Sequence, residues 1–292
     1  MSDARPATLG AALAAGRTWL ARAGIERAAL DAALLLGHVV GLDRAALLAR
    51  PEQPLSDQDW AAYAALLARR AAGEPVAYLT GRREFFGLEF AVDQRVLVPR
   101  PETEHLVELA LAHLRALPPG PRLAVDVGTG SGAIAVSLAH ALPDLTVVAA
   151  DVSQAALAVA GANAARHGVA GRVRLVCGSL LDWLGRPVDL IAANLPYLRP
   201  AQAHAGIAHE PAIALYAGPD GFALYRRLLA QAPPLLRPGG LLLAEIDPAQ
   251  RDLALATAGR VAPGWPAAVH PDYAGHPRVL ALRRPAGAPA PP

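Results

Sequence analysis

From Thr8 to about Ala72, apolar residues return at helical spacing, as in Leu30, Ala33 and Leu34 or Tyr63, Leu66 and Leu67. Breaks at Gly24, Gly41 and Pro51 to Pro54 cut this stretch into short pieces and predict a small helical bundle. The texture then changes. Val76 to Leu79 and Arg83 to Val92 carry aromatic and β-branched residues around Gly81 and Gly87, the composition of a short hairpin. Pro99 and Pro101 can pre-set a helix start, and Glu102 to Leu117 presents Leu106, Val107, Leu109, Ala110 and Leu114 on one face.

From Leu123 onward, short apolar runs alternate with helical patterns. Strands are predicted at Leu123 to Val127, Thr146 to Ala150, Val173 to Val176, Asp189 to Ala193 and Leu241 to Glu245, with helices near Ala133, Gln154 and Gly221. Such alternation predicts an α/β fold with a mainly parallel sheet covered by helices on both faces. Trp265 to Arg283 can supply a last pair of strands, and the Pro/Ala tail from Pro285 has nothing to bury, so disorder is expected there. The expected organisation is a helical domain over 1–75, a hairpin linker over 76–98, an α/β domain over 99–284 and a tail over 285–292.

Composition narrows the function classes. The chain has 292 residues, enough for a large domain and a small one. Charged residues interrupt every apolar run before it reaches the roughly 18 residues of a membrane span. No secretory apolar core follows Met1 to Pro6, and a single cysteine, Cys177, excludes an intrachain disulfide, so a cytoplasmic location is expected. Cys177 reads as a buried strand residue. All 27 basic residues are Arg, and the net charge is +2. Doublets such as Arg69-Arg70, Arg82-Arg83 and Arg283-Arg284 are scattered and form no basic stripe, which argues against stable nucleic-acid binding.

The first candidate site is Asp126-Val127-Gly128-Thr129-Gly130-Ser131-Gly132, which follows a predicted strand and opens a helix at Ala133. Glycines there let the backbone turn sharply beneath a ligand. A dinucleotide fingerprint requires a third glycine where Ala133 stands. Asp126 separates the cofactor classes further: a carboxylate ahead of the loop suits the cationic groups of S-adenosylmethionine and would repel a pyrophosphate. Asp151, 19 positions after Gly132, is placed to accept from ribose hydroxyls. Ser179 and Leu180, after the third α/β strand, fall where an adenine ring would lie.

The second candidate site is Asn194-Leu195-Pro196-Tyr197, after the fourth strand, at the edge where open α/β sheets bind ligands. An amide or conjugated amine is a weak nucleophile, so a catalyst must aim its lone pair; positioning is the main requirement. The Asn194 side-chain oxygen and the Leu195 carbonyl, aimed with help from Pro196, can each accept one hydrogen of an NH₂ group. Tyr197 can stack on the planar group. This chemistry needs no metal, and it suits glutamine and adenine N6 alike.

With these motifs the chain resembles the peptide chain release factor glutamine methyltransferases. The resemblance also rests on Asp31-Ala32-Ala33-Leu34-Leu35-Leu36, Gly73 to Gly81, Glu84-Phe85-Phe86-Gly87-Leu88 and Val98-Pro99-Arg100-Pro101-Glu102-Thr103-Glu104. Later matches are Glu210-Pro211, Gly218 to Gly221, Pro238-Gly239-Gly240 and Asp272-Tyr273-Ala274-Gly275 before Arg278. It implies a Rossmann-like class I methyltransferase domain that binds S-adenosylmethionine, releases S-adenosylhomocysteine and methylates the glutamine of a release factor's Gly-Gly-Gln loop. The helical domain would dock that protein. Three positions depart from the family pattern: Leu195 replaces the usual clamp proline, Ser179 replaces a frequent acid, and Asp247 stands where glycine is common. Leu195 keeps its carbonyl but frees its own φ.

Arg100, Glu102 and Glu104 suit helix capping or the site equally. Glu210 is a candidate for ordering the clamp loop, and His204 and His209 read as loop histidines. Alternatives to release-factor methylation are an adenine-N6 nucleic-acid methyltransferase, a ribosomal-protein glutamine methyltransferase and a non-catalytic donor-binding relative.

Overall fold

A computed structural model describes residues 5–287 of the chain. Of the expected tail, 285–287 are described, without helix or strand, and 288–292 lie outside the described residues. The chain divides into two compact units. One runs up to Arg82 and takes in His204–His209; the other holds Arg83–Ala203 and the chain from Glu210 onward.

The first unit contains α1 (Leu9–Arg22), α2 (Ala28–Val40), α3 (Arg44–Ala49), α4 (Asp57–Ala71) and α5 (Val76–Thr80). The side chains of Thr8, Asp43 and Ser56 accept the amides of Ala11, Ala46 and Asp59, satisfying the first turns of α1, α3 and α4. Leu9, Leu20, Leu35, Leu36, Leu47, Tyr63 and Leu67 form its core. Asp31, buried on α2, is held by Arg70 at 2.7 Å.

Val76 to Leu79 departs from the expected hairpin. It forms the single turn of α5, preceded by the extended backbone of Pro75 and ended by Gly81 in the left-handed region. Leu79 joins the helical core and the Thr80 hydroxyl donates to Val76 O at 3.0 Å. Packing between two strong stop signals outweighs β propensity here. The hairpin itself is shorter, β1 (Arg82–Phe85) and β2 (Leu88–Ala91).

The second unit continues with α6 (Thr103–Ala116), β3 (Arg122–Val127), α7 (Ala133–Ala141), β4 (Leu145–Asp151), α8 (Gln154–Arg166), β5 (Val173–Cys177), β6 (Val188–Ala193), α9 (Ala223–Leu235), β7 (Leu236–Glu245), α10 (Arg251–Val261), β8 (Ala267–Pro271) and β9 (Pro277–Arg283). Its seven-stranded sheet has the order β5-β4-β3-β6-β7-β9-β8. Neighbours pair in parallel from β5 to β7, and β9 is antiparallel to both β7 and β8. The α/β class and the mostly parallel sheet agree with the sequence reading. Two features do not. Helix α10 was missed because its buried positions are Ala254, Thr257 and Ala258 rather than large apolar residues. Cys177 is exposed, not buried, because β5 is an outer strand whose pattern is only partly covered.

The strand order reverses between β3 and β6, the place where such sheets open a crevice at their carboxyl ends. Val127 pairs with Ala193, so the glycine loop and the Asn194 segment leave the sheet side by side. Asn163 of α8, fully buried, ties this edge to the hairpin. Its Oδ1 accepts from Ala91 N at 2.8 Å, and its Nδ2 donates to Ala91 O at 3.0 Å and Ser131 O at 2.9 Å. Asn163→Leu keeps the branching of the side chain but leaves three backbone groups without partners, Ala91 N, Ala91 O and the buried Ser131 O. We expect it to lower unfolding free energy by roughly 2 to 4 kcal/mol, measured by urea denaturation.

Candidate active site

At the carboxyl edge of the sheet lies a cavity of about 480 Å³, walled by the glycine loop, the end of β4, the turn after β5 and the segment after β6. That size lies within the range of small-molecule sites. Gly128 and Thr129 both donate their amides to Ala150 O, at 2.9 and 3.0 Å, which pins the loop onto β4. Gly128 has φ +73°, and a Cβ there would lie 2.9 Å from Leu195 Cδ2. Gly130 has φ +55°, and a Cβ there would meet nothing within 4 Å. Gly132, at the start of α7, serves packing instead, since its Cβ would lie 3.1 Å from that of Ala160.

Two carboxylates organise the loop. Asp151 Oδ2 accepts from Gly130 N and Oδ1 from Ser153 N, both at 2.9 Å. Each oxygen keeps a further lone pair for a ligand hydroxyl. Asp126 is fully buried beneath the loop. Its Oδ2 takes the Thr129 hydroxyl at 2.6 Å and the Ala135 amide at 3.1 Å, acting as the acceptor that α7 lacks at its own N-cap. Its Oδ1 has no hydrogen-bond partner among the described residues. Burial pushes the Asp126 carboxyl up to about 7; the bonds from Thr129 and Ala135 oppose this, and the Asp151 charge adds to it. A buried carboxyl with one orphaned oxygen suits a nearby ligand cation, which would restore its charge.

After β5, the chain makes a strained turn. Leu180 has φ +47°, unusual for a residue with a Cβ, at a cost on the order of 1–3 kcal/mol. Trp183 Nε1 donates to Leu180 O at 2.9 Å and the Leu181 amide to Gln231 Oε1 at 3.2 Å, which holds it. Ser179 Oγ accepts from Arg227 at 3.3 Å, leaving its hydrogen to be offered elsewhere.

The clamp segment is held from beneath. Asn194 Nδ2 donates to Thr103 Oγ1 at 3.0 Å, and that hydroxyl donates to Glu245 Oε2 at 2.6 Å. Glu245 closes β7 and is buried; desolvation pushes its carboxyl up to about 7, against the bond from Thr103 and the charge of Arg278. The Leu195 amide donates to the Tyr225 hydroxyl at 3.2 Å, and this hydroxyl approaches Leu195 O at 2.9 Å and also contacts Glu245 O. Gln250 Nε2 donates to Tyr197 O at 3.4 Å, and a Cβ on Gly221 would lie 2.1 Å from that carbonyl oxygen. Glycine at 221 is therefore obligatory.

The structure gathers most of the candidate residues around one cavity: Gly128, Thr129, Gly130, Ser131, Asp151, Ser179, Leu180, Asn194, Leu195 and Pro196. Asp126, Gly132 and Tyr197 do not line it. Tyr197 packs against the core, its hydroxyl raised above the ordinary tyrosine range by burial and by Glu245. Arg100 lines the cavity, and its guanidinium grips both oxygens of Glu210 at 2.8 and 2.6 Å, fastening the loop after the clamp. Glu104 accepts the Phe86 amide at 3.0 Å, and Glu102 makes no side-chain cap bond. His204 and His209 lie in their loop, with His209 Nε2 3.4 Å from Ala72 O. Sequence reasoning missed Glu245, Thr103 and Tyr225 as supports of the clamp. A carboxylate ending an apolar strand was the one available signal, for Glu245.

Residues 11–81 match the PrmC N-terminal domain, and residues 107–214 the Methyltransferase small domain. The release factor glutamine methyltransferase of Deinococcus radiodurans is 45% identical over 271 residues, covering 92% of this chain and 95% of that protein. That of Moorella thermoacetica is 45% identical over 282 residues, covering 95% and 99%. A solved methyltransferase from Pyrococcus furiosus shares the fold, with a TM-score of 0.50 and 19% identity over 75% of this chain and 97% of that one.

The two raised carboxyls set a direction for stability. Asp126 and Glu245 bind protons in the folded chain between the ordinary carboxylate range and about pH 7, where the unfolded chain does not. Their contribution is full at low pH and is lost as pH rises through about 7. From about pH 6 to about pH 8.5 each should cost about 1.4 kcal/mol. Urea denaturation across this window should show the loss halved in either Asp126→Asn or Glu245→Gln.

Proposed function

Because the chain belongs to the release factor glutamine methyltransferase family, we propose that it methylates the side-chain amide nitrogen of the glutamine in the Gly-Gly-Gln motif of peptide chain release factors. One observation carries the site assignment. Asn194 stands on the cavity wall with its amide nitrogen already committed to Thr103, and its oxygen has no partner among the described residues. An NH₂ group entering the cavity meets an acceptor.

The methyl donor is S-adenosyl-L-methionine, which when bound supplies an electrophilic methyl on a cationic sulfur and leaves as S-adenosyl-L-homocysteine. In this reading the loop from Gly128 to Ser131 gives the donor a backbone cradle without side chains in the way. The spare lone pairs of Asp151 accept its ribose hydroxyls. Ser179 and Leu180 border the adenine, and the serine hydroxyl, which accepts one bond from Arg227, keeps its hydrogen and one lone pair for the ring. Asp126 acts from beneath, through charge and loop shape rather than contact. Asn194 Oδ1 and the Leu195 carbonyl accept the two hydrogens of the glutamine amide, which directs its lone pair at the methyl carbon. Pro196 restricts Leu195 to extended backbone. Tyr197 closes the segment behind the acceptor. The helical unit docks the release factor.

We expect the protein, given methyl-labelled donor and purified release factor, to place label on the Gly-Gly-Gln peptide, located by mass spectrometry. Label on RNA, DNA or a ribosomal protein in its place would overturn the reading, and so would donor binding without turnover. Asn194→Ala should lower kcat by about 100-fold or more with donor Kd little changed. Asp151→Ala should weaken donor binding by about tenfold or more, measured by calorimetry. Equal effects of both variants on both quantities would contradict this division.

A further inference from the structure

We propose that Thr103 and Glu245 are positioning residues that fix the side-chain amide of Asn194 with its oxygen toward the acceptor. The inference rests on the functional reading above, and it begins from hydrogen counting. A threonine hydroxyl has one hydrogen. Beside a carboxylate that hydrogen must go to the carboxylate, and the 2.6 Å contact from Thr103 Oγ1 to Glu245 Oε2 has the length of a charge-assisted bond. The oxygen of Thr103 is then left as an acceptor. The group 3.0 Å from it on Asn194 must be the NH₂, not the carbonyl. Buried charge thus decides, through one hydroxyl, which end of an otherwise symmetric amide faces the cavity.

The orientation matters because the two ends of an amide are opposite in chemistry. Presented as an oxygen, Asn194 accepts a hydrogen from the substrate NH₂. Turned over, it offers a second NH₂ to the first, and neither accepts. The polarity of the chain is reversible in principle: a protonated Glu245 donates to Thr103, whose hydrogen then turns to Asn194 and selects its oxygen. All three groups sit on different elements, at the start of α6, at the end of β7 and after β6, so the contact is a feature of the fold. Thr103 and Glu245 are both buried.

The charged and titratable groups facing Glu245 are Arg278 on β9, Arg100 and Glu102 ahead of α6, Tyr197 after the clamp, and Tyr225 on α9. Burial raises the Glu245 carboxyl to about 7, with the two arginines opposing and Glu102 adding. Protonation on the acid side therefore favours the turned-over amide, and kcat at saturating donor should fall by about tenfold per pH unit below about 7.

The test compares variants in the full chain. Thr103→Val keeps the shape and removes the hydroxyl, and should lower kcat by about 10- to 100-fold while donor Kd stays within about threefold. Thr103→Ser should restore kcat to within about threefold of the parent. Glu245→Gln should lower kcat and abolish the acid limb attributed to Glu245, because an amide there can donate to Thr103 at every pH. An independent signature needs no acceptor: the Asn194 side-chain NH₂ resonances, assigned by their loss in Asn194→Ala, should exchange slowly with solvent in the parent and in Thr103→Ser. In Thr103→Val that protection should vanish. Unchanged kcat or unchanged protection in Thr103→Val would overturn the proposal, as would equal loss of kcat in Thr103→Val and Thr103→Ser. If the parent protein labels no release factor, the functional reading fails, and the exchange measurement still decides the positioning role.

Discussion

The site depends on two parallel strands ending at the same level at the point where the sheet changes its direction of winding. Val127 of β3 faces Ala193 of β6, and whatever follows each must share one small space. A Cβ on residue 128 would meet the tip of the Leu195 side chain at 2.9 Å, so the loop runs in close contact with the segment that follows β6. The backbone of Gly128 takes a positive φ, which glycine adopts without strain. From that restriction follow both the turn that lifts the loop over the sheet edge and the closeness of the loop to the Asn194 segment. The two segments to which the proposed function gives the donor and the acceptor are neighbours because the register of β3 and β6 brings them out side by side.

Such an arrangement concentrates unfavourable terms at one edge. Asp126 and Glu245 are carboxyls taken out of water and raised to about 7, Asp126 retains an oxygen without a partner among the described residues, and Leu180 holds a left-handed backbone. Each is a local rule broken near the carboxyl edge of the sheet. Buried apolar strands such as β3 and β6 and the helix contacts beneath them offset these costs. Breaches of this kind that cluster at one cavity are the physical mark of a site built to receive charge and hydrogen-bond donors from outside.

Much of this was readable beforehand because it is written in local pattern. Alternating runs marked the strands from Leu123 to Glu245, and the glycine spacing and Asn194-Leu195-Pro196 marked two of the cavity's walls. What escaped was encoded at long range or in small residues. Helix α10 buries alanines and a threonine, which carry little periodic signal. Val76 to Thr80 is helical because Leu79 packs into the first unit's core, a fact of tertiary structure. Thr103 and Glu245 are 142 positions apart and acquire meaning only when α6 lies against the end of β7. The Asp126 carboxylate, expected from the sequence to face a ligand cation, lies beneath the loop and off the cavity wall.

Leu195 bears on how rigid a clamp can be without the ring that a proline would provide. A proline has its φ fixed covalently and has no amide hydrogen. Leucine has the hydrogen, and here the Leu195 amide donates it to the Tyr225 hydroxyl at 3.2 Å. The same hydroxyl has one hydrogen to give and two carbonyls within reach, Leu195 O and Glu245 O. When it is given to Glu245, the Leu195 carbonyl keeps both lone pairs for an incoming amide. When it is given to Leu195, one lone pair remains, which still suffices for a single N–H. Either way the peptide is held at its nitrogen by a fully buried side chain, in a place where losing a bond would leave polar groups stranded. The restraint that a ring supplies through its covalent structure is supplied in this chain by a hydrogen bond from the core, and the carbonyl to which the proposed function gives a substrate hydrogen is retained.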